Sequence, residues 1–256
     1  MSNFTSLTDL GWQSFFQQQL SLNDFNESIP ARVVEQHKSE ISVATDKGIF
    51  NIHLLAGMPE MVVGDWCLLD DQHHVLRMLD RKTAFSRKAS GSKLKRQLIS
   101  ANVDTAFIVS SMNDDFSLNR IERFLSLVNE SGAEPVVVLS KSDQAVRPQA
   151  FIEQIHSLDP FLMVEAVNCL DRDSLDQLSP WIKAGTTVAV LGSSGVGKST
   201  LINTLLGENR QSTGGIREDD GKGRHTTTRR SLVPLSTGGM ILDTPGMREI
   251  QIADCK

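Results

Sequence analysis

The stretch Gly192-Ser193-Ser194-Gly195-Val196-Gly197-Lys198-Ser199 fits the spacing G-x-x-x-x-G-K-[ST] and lies between an apolar run, Val188-Ala189-Val190-Leu191, and a helical pattern over 198–206. A strand that turns into a helix through three glycines aims successive backbone N–H groups into one concavity. Phosphate oxygens suit that concavity, because the helix N-terminus adds positive potential. In this arrangement Gly192, Ser193, Ser194, Gly195, Val196, Gly197 and Thr200 surround the phosphates. Lys198 reaches the β- and γ-phosphates, and the Ser199 hydroxyl ligates Mg²⁺. A glycine-rich strand–helix turn without a ligand is the plainer reading; both flanking contexts speak against it.

Forty-five residues beyond Lys198, Met240-Ile241-Leu242-Asp243-Thr244-Pro245-Gly246 carries an acid to the end of an apolar strand. Asp243 there meets the magnesium, and the Gly246 N–H turns to the γ-phosphate. Between the two motifs lies Gly221-Lys222-Gly223-Arg224-His225-Thr226-Thr227-Thr228, too polar and glycine-rich for a core element. It suits a switch loop in which a threonine, Thr227 the candidate, coordinates Mg²⁺ only while a γ-phosphate is present. Three threonines also suit the opening of the next strand.

Around these motifs the rhythm is strand–helix–strand. Apolar runs at 105–109, 135–139, 161–167 and 187–191 alternate with helical patterns at 118–128, 149–158, 174–181 and 198–206, which predicts a largely parallel α/β domain over 101–256. Residues 31–80 change to period two, with turns at Asp46-Lys47-Gly48 and Asp70-Asp71, and predict a small β-barrel of the OB-fold type; an SH3-like barrel reads the same way. Residues 1–30 form a helical extension, with Leu7, Leu10, Trp12, Phe15, Phe16 and Leu20 on one face.

Charge divides the chain differently. Residues 1–80 hold 4 Lys/Arg against 11 Asp/Glu, and residues 81–103 hold 7 against none. That belt, Arg81, Lys82, Arg87, Lys88, Lys93, Lys95 and Arg96, reads as a basic linker over 81–100 that neutralises the phosphates of an RNA, with a solvated linker as the bland alternative. Trp66 suits a barrel core better than a stacking platform, because it alternates with Leu68. No apolar run approaches the roughly 18 residues of a membrane helix, and 1–20 has no secretory pattern, so a cytoplasmic, membrane-free protein is expected, with a monomer as the default. Cys67, Cys169 and Cys255 are too scattered for a disulfide framework.

The base is read by position. Ser140-Lys141-Ser142-Asp143 follows the apolar run Val136-Val137-Val138-Leu139 and resembles the tetrad Asn/Thr-Lys-x-Asp. Asp143 suits the N1–H and exocyclic amine of guanine, with the Lys141 stem over the base and Ser140 bracing the loops; adenine lacks that donor pair and leaves the carboxylate unpaired. Alone, the tetrad would pass for an exposed turn. The order of parts decides: base tetrad first, phosphate loop second, Asp243-Thr244-Pro245-Gly246 last is the order of a circularly permuted GTPase.

At this point the chain resembles the ribosome small subunit-dependent GTPase A (RsgA/YjeQ) family, through Gly64-Asp65-Trp66, Ala101-Asn102-Val103-Asp104, Gly192 to Ser199, 223–228 and Asp243-Thr244-Pro245-Gly246. The resemblance implies a circularly permuted P-loop GTPase domain preceded by an OB-fold-like β-barrel. It also implies GTP/GDP and Mg²⁺ as ligands, and the small ribosomal subunit with its rRNA as partner. Late maturation of that subunit is the implied task, with slow intrinsic hydrolysis that the subunit stimulates. The family's zinc domain is absent from this chain, so Zn²⁺ is expected only there, and the GTPase domain is expected to be C-terminally truncated. Ser140 in place of Asn or Thr predicts a weaker brace between the nucleotide loops. The second base-contact loop falls within 165–168 without an identifiable residue. Met247 occupies the position after Gly246 where a water-orienting glutamine is common, and the resemblance points instead to His225. Two other function classes stand beside this one: a P-loop ATPase or kinase, and an RNA-binding module with a vestigial nucleotide site.

Overall fold

Gly11 breaks what the apolar spacing of 7–20 predicts as one helix. It sits at φ +87°, where other residues are strained, and turns the chain so that only α1 (Ser14–Gln17) and α2 (Leu22–Glu27) are helical. A capping box between Ser21 and Asp24 starts α2. The computed structural model describes residues 6–88, 96–207 and 230–243. Trp12 and Phe16 lie with ring centroids 4.8 and 5.6 Å from that of Trp66, so the extension is clamped to the barrel by aromatic contacts. Trp66 is fully buried, the core position its alternation predicts.

The barrel comprises β1 (Ile29–Gln36), β2 (Glu40–Thr45), β3 (Gly48–His53), β4 (Trp66–Leu69) and β5 (Val75–Met78). Its order is β3-β2-β1-β4-β5, in which β1 takes the non-sequential β4 as its second neighbour. That is the partly open Greek-key pattern of an OB-fold. No ladder joins β3 to β5; instead Phe50 of β3 stacks on His73 of the β4–β5 turn at 3.8 Å. Alternation along β1 sends Ala31 and Val33 into the barrel and Val34 into the core shared with the rest of the molecule.

The residues expected as a basic linker form a hairpin, β6 (Ala84–Lys88) against β7 (Arg96–Ala101). Phe85 and Ile99 are fully buried in the main core, a period-two signal that the charge run overshadowed. Gly64, at φ +96°, lies so close to this hairpin that a Cβ would overlap the Ala101 carbonyl oxygen. Only glycine fits there.

The second part follows as β8 (Thr105–Ser111), α3 (Leu118–Ser131), β9 (Glu134–Ser140), α4 (Pro148–His156), β10 (Met163–Ala166), β11 (Thr187–Gly192), α5 (Lys198–Leu206), β12 (Arg230–Pro234) and β13 (Met240–Asp243). The helix expected over 174–181 is a 3-10 stretch, Asp173–Leu178, and the strand expected from 161 starts at Met163, leaving Phe161 91% exposed. Strands β10-β9-β8-β11-β13 run parallel. β8, β11 and most of β9 are buried on both faces, as near-continuous apolar runs require, whereas the edge strand β10 is half-buried with Met163 exposed. Ala106, Ile108, Val137, Leu139 and Leu191 face α3 and α4; Phe107, Val109, Val136, Val138 and Val190 face α5 and the 3-10 stretch. β12 is antiparallel to β13 and also pairs with β1 through Glu35–Ser231 and Gln36–Arg230, so one eleven-stranded sheet runs through both parts.

Arg32 fixes the join. Its guanidinium is 1% exposed and donates to the Leu10 carbonyl (2.5 Å), the Asn102 carbonyl (2.8 Å), the Gly64 carbonyl (3.3 Å) and the Thr187 hydroxyl (2.8 Å). Burial lowers its pKa to about 10, which leaves it charged at neutral pH, and Asp104 and Asp65 oppose that shift. Arg32→Met keeps the apolar stem and leaves the Leu10 and Asn102 carbonyls and the Thr187 hydroxyl without their guanidinium donor, while the Gly64 carbonyl keeps the Asn102 amide. Urea denaturation is expected to show a loss of about 3 kcal/mol.

Candidate functional site

The phosphate loop is shaped by three glycines in left-handed or extended positive-φ conformations: Gly192 (+145°), Gly195 (+78°) and Gly197 (+99°). Gly192 ends β11 so near β8 that a Cβ would overlap the Val109 carbonyl oxygen, and Gly197 is the N-cap of α5. Lys198 and Ser199 therefore begin a helix at the C-terminal edge of the parallel sheet, the edge at which open α/β sheets bind ligands. The Lys198 ammonium donates to the Ser193 carbonyl within the loop.

The base tetrad reaches the same edge. Ser140 ends β9, Lys141 adopts a left-handed conformation (φ 60°, ψ 38°), and Asp143 lies in the 3-10 turn Ser142–Gln144 that follows. β9 and β11 flank β8, so two strand spacings, about 10 Å, separate the tetrad from the phosphate loop across the sheet. The Ser140 hydroxyl donates to the Val196 carbonyl at 2.6 Å. The brace expected to be weak is thus a short hydrogen bond.

The loop after β10 closes this corner. Val167 N–H donates to the Leu139 carbonyl and Ser142 N–H to the Val167 carbonyl, so the loop is tied to the tetrad. Cys169, one residue past the expected 165–168 window, has its carbonyl bonded by Thr204 of α5 at 2.6 Å. Burial, and then the nearby Asp143 charge, push its thiol up to about 11. Nothing in the spacing marks Cys169 in advance; its position comes from the βαβ crossover. Burial also raises the carboxyl of Glu165.

Asp243 is the last residue of β13, one beyond the Leu242–Ala189 pair, so its backbone runs beside the strand that feeds the phosphate loop. Thr227, His225 and Gly246 lie outside the described residues, as do Lys93 and Lys95.

The basic belt divides. Arg81 forms a two-point ion pair with the buried Asp65, at 2.7 and 2.8 Å, and also donates to the Glu60 carbonyl. Asp65 in turn accepts from Val62 N–H. Arg81 thus pins the Gly64-Asp65-Trp66 turn. Lys82 reaches Gln13 and Asp104, and Arg87 reaches Gln97 across the hairpin. Lys88 and Arg96 are paired positions on β6 and β7. A cavity of about 390 Å³ lined by Lys82, Asp104, Glu134, Trp181 and Lys183 opens at the other, N-terminal edge of the parallel strands. It shares no lining residue with the phosphate loop.

Residues 78–253 match the RsgA GTPase family. The chain belongs to that family. Over its whole length it is 53% identical to the small ribosomal subunit biogenesis GTPase RsgA 2 of Vibrio parahaemolyticus serotype O3:K6, of which it covers 72%. It is 46% identical, over 97% of its length, to the small ribosomal subunit biogenesis GTPase RsgA of Mesorhizobium japonicum, of which it covers 73%. Its fold is similar to that of YjeQ from Thermotoga maritima, with TM-score 0.64 and 22% identity over 88% of this chain and 77% of the other. It is also similar to YloQ, described as a circularly permuted GTPase, with TM-score 0.61 and 20% identity over 89% of this chain and 74% of the other. The RsgA fold thus carries the permuted order that the motifs indicate.

Two outcomes follow from this geometry. Ser140→Ala removes the side-chain donor to the Val196 carbonyl and is expected to weaken GTP binding roughly tenfold, read by titration with a fluorescent GTP analogue. Burial holds the thiols of Cys67 (about 12) and Cys169 (about 11) far above neutrality. Iodoacetamide at pH 8 should leave both unlabelled in the folded chain and label both in urea, as peptide mass spectrometry would show.

Proposed function

We propose that this chain is a GTPase of small ribosomal subunit biogenesis: a cytoplasmic enzyme that binds GTP, turns it over slowly alone and faster on the subunit, and acts late in that subunit's maturation. The observation that carries the reading is the Ser140–Val196 bond, which ties the guanine tetrad to the phosphate loop at one sheet edge. Family membership supports it independently.

Asp143 accepts the paired donors of guanine and the Lys141 stem covers the base. The N–H groups of 192–197 and the Lys198 ammonium hold the phosphates. Ser199, Asp243 and Thr227 would hold Mg²⁺, a hard oxygen donor set that suits this ion. Magnesium would supply charge neutralisation at the phosphates. Gly246 offers its N–H to the γ-phosphate, and His225 orients the attacking water, which Met247 is chemically unable to do. Arg87, Lys88 and Arg96 of β6 and β7, together with Lys93 and Lys95 from the intervening sequence, neutralise rRNA phosphates, with Lys82 at the margin.

Phosphate release from GTP, measured with and without small ribosomal subunits, tests the whole. Stimulation by the subunit is expected, along with at least 10³-fold discrimination against ATP in competition. His225→Ala should lower the stimulated rate on the order of 10²-fold and leave GTP affinity unchanged. Subunit binding should weaken steeply with salt. GTP binding without any turnover on subunits would instead favour the vestigial site suggested by Met247, and preference for ATP would favour a kinase or ATPase.

A further inference from the structure

Helix α3 carries a cation where a helix favours an acid. Ser117 is its N-cap but makes no side-chain cap bond, its first turn holds no acidic residue, and the third helical position is Arg120. A glutamate there would complete a capping box and complement the helix dipole, whereas an arginine opposes both. Local rules broken in this way tend to mark functional positions.

The guanidinium of Arg120 does not turn away into solvent. It donates through Nη2 to the Asp115 carbonyl at 2.7 Å, which anchors it to the β8–α3 loop, and through Nη1 to the Ser193 hydroxyl at 3.3 Å. Ser193 is the first variable residue of the phosphate loop, and its carbonyl already accepts from Lys198. One residue is thus gripped from both sides, its side chain by Arg120 and its main chain by Lys198. The crevice between Ser117 and Arg120 of the α3 start and Ser193 and Val196 of the loop is only about 10 Å³, room for a single water at most.

We propose that Arg120 is a positioning residue of the nucleotide site. It orders Ser193 before nucleotide arrives, steadies Lys198 through the Ser193 carbonyl, and adds positive charge to the flank of the phosphate loop. This role rests on the GTP-binding reading above. A preordered loop lowers the ordering cost of binding, and an added charge favours the more anionic ligand, so the effect belongs in affinity and is larger for GTP than for GDP.

Equilibrium binding of fluorescent GTP and GDP analogues to the full chain tests it, together with the thermal midpoint of the nucleotide-free protein. Arg120→Ala is expected to weaken GTP about tenfold and GDP less, Arg120→Lys to recover part of the loss, and Ser193→Ala to weaken GTP in the same direction. The double variant should bind no more weakly than Arg120→Ala, because both remove one interaction. The nucleotide-free midpoint of Arg120→Ala should be unchanged or higher, since a cation has left a helix N-terminus. Unchanged GTP affinity in Arg120→Ala would overturn the proposal, as would losses that multiply in the double variant. If Arg120→Ala does not fold, Arg120→Lys and Ser193→Ala carry the same comparison. Lys198→Ala, expected to lose GTP binding, is the control: if the parent chain itself fails to bind GTP, the GTPase reading falls, whereas loss in Lys198→Ala with parent-like binding in Arg120→Ala overturns only the role given to Arg120.

Discussion

A single buried cation organises the meeting of the two halves. Arg32 stands on the outward face of β1 because strand alternation gives Ala31 and Val33 to the barrel interior. From there it takes the carbonyls of the N-terminal turn, of the Gly64 turn and of Asn102, and the hydroxyl that opens β11. A charge removed from water is tolerated only when its donors are met, and here three backbone oxygens and a hydroxyl meet them. Each acceptor belongs to a different segment, so the guanidinium fixes their mutual placement more tightly than apolar contact would. Asp104 extends this order to the nucleotide strand: its carboxylate accepts Thr187 N–H at 2.9 Å while also taking Gln13.

What was legible in the chain was the chemistry of local geometry. A phosphate loop needs glycines at set positions, and Gly192, Gly195 and Gly197 occupy positive-φ positions that other residues rarely adopt. The tetrad was legible because a buried strand precedes it. The parallel sheet was legible because 105–111 and 187–192 are apolar on both faces. Tertiary partners were not. Nothing in the spacing shows that Arg81 is held by Asp65, sixteen residues earlier. Nor does spacing mark Arg120, because its partner Ser193 lies 73 residues away. Gly11 ended a helix that apolar spacing alone would have continued, and the hairpin β6–β7 was hidden because charge was weighed above the alternation of Phe85 and Ile99. Spacing reports which faces are apolar; it does not report which side chain answers a given charge.

The sheet also relates the two halves mechanically. β12 is shared: Ser231 pairs with Asp243 on one side and with Glu35 on the other. A register change in β12 would have to be accommodated by the barrel strand β1 or by β13, which ends at Asp243, since packed sheets shift in discrete steps rather than stretch.

This sharing has a consequence for assembly during synthesis. β1 leaves the translating ribosome long before its neighbour β12, which begins at Arg230, and β11 stays an outer strand until β13 at 240–243 emerges. Closing so long a loop is entropically demanding and slows the final step. The nascent chain therefore carries an incomplete sheet, with unsatisfied strand edges, until β12 and β13 arrive, and that interval is when aggregation or chaperone capture competes with folding.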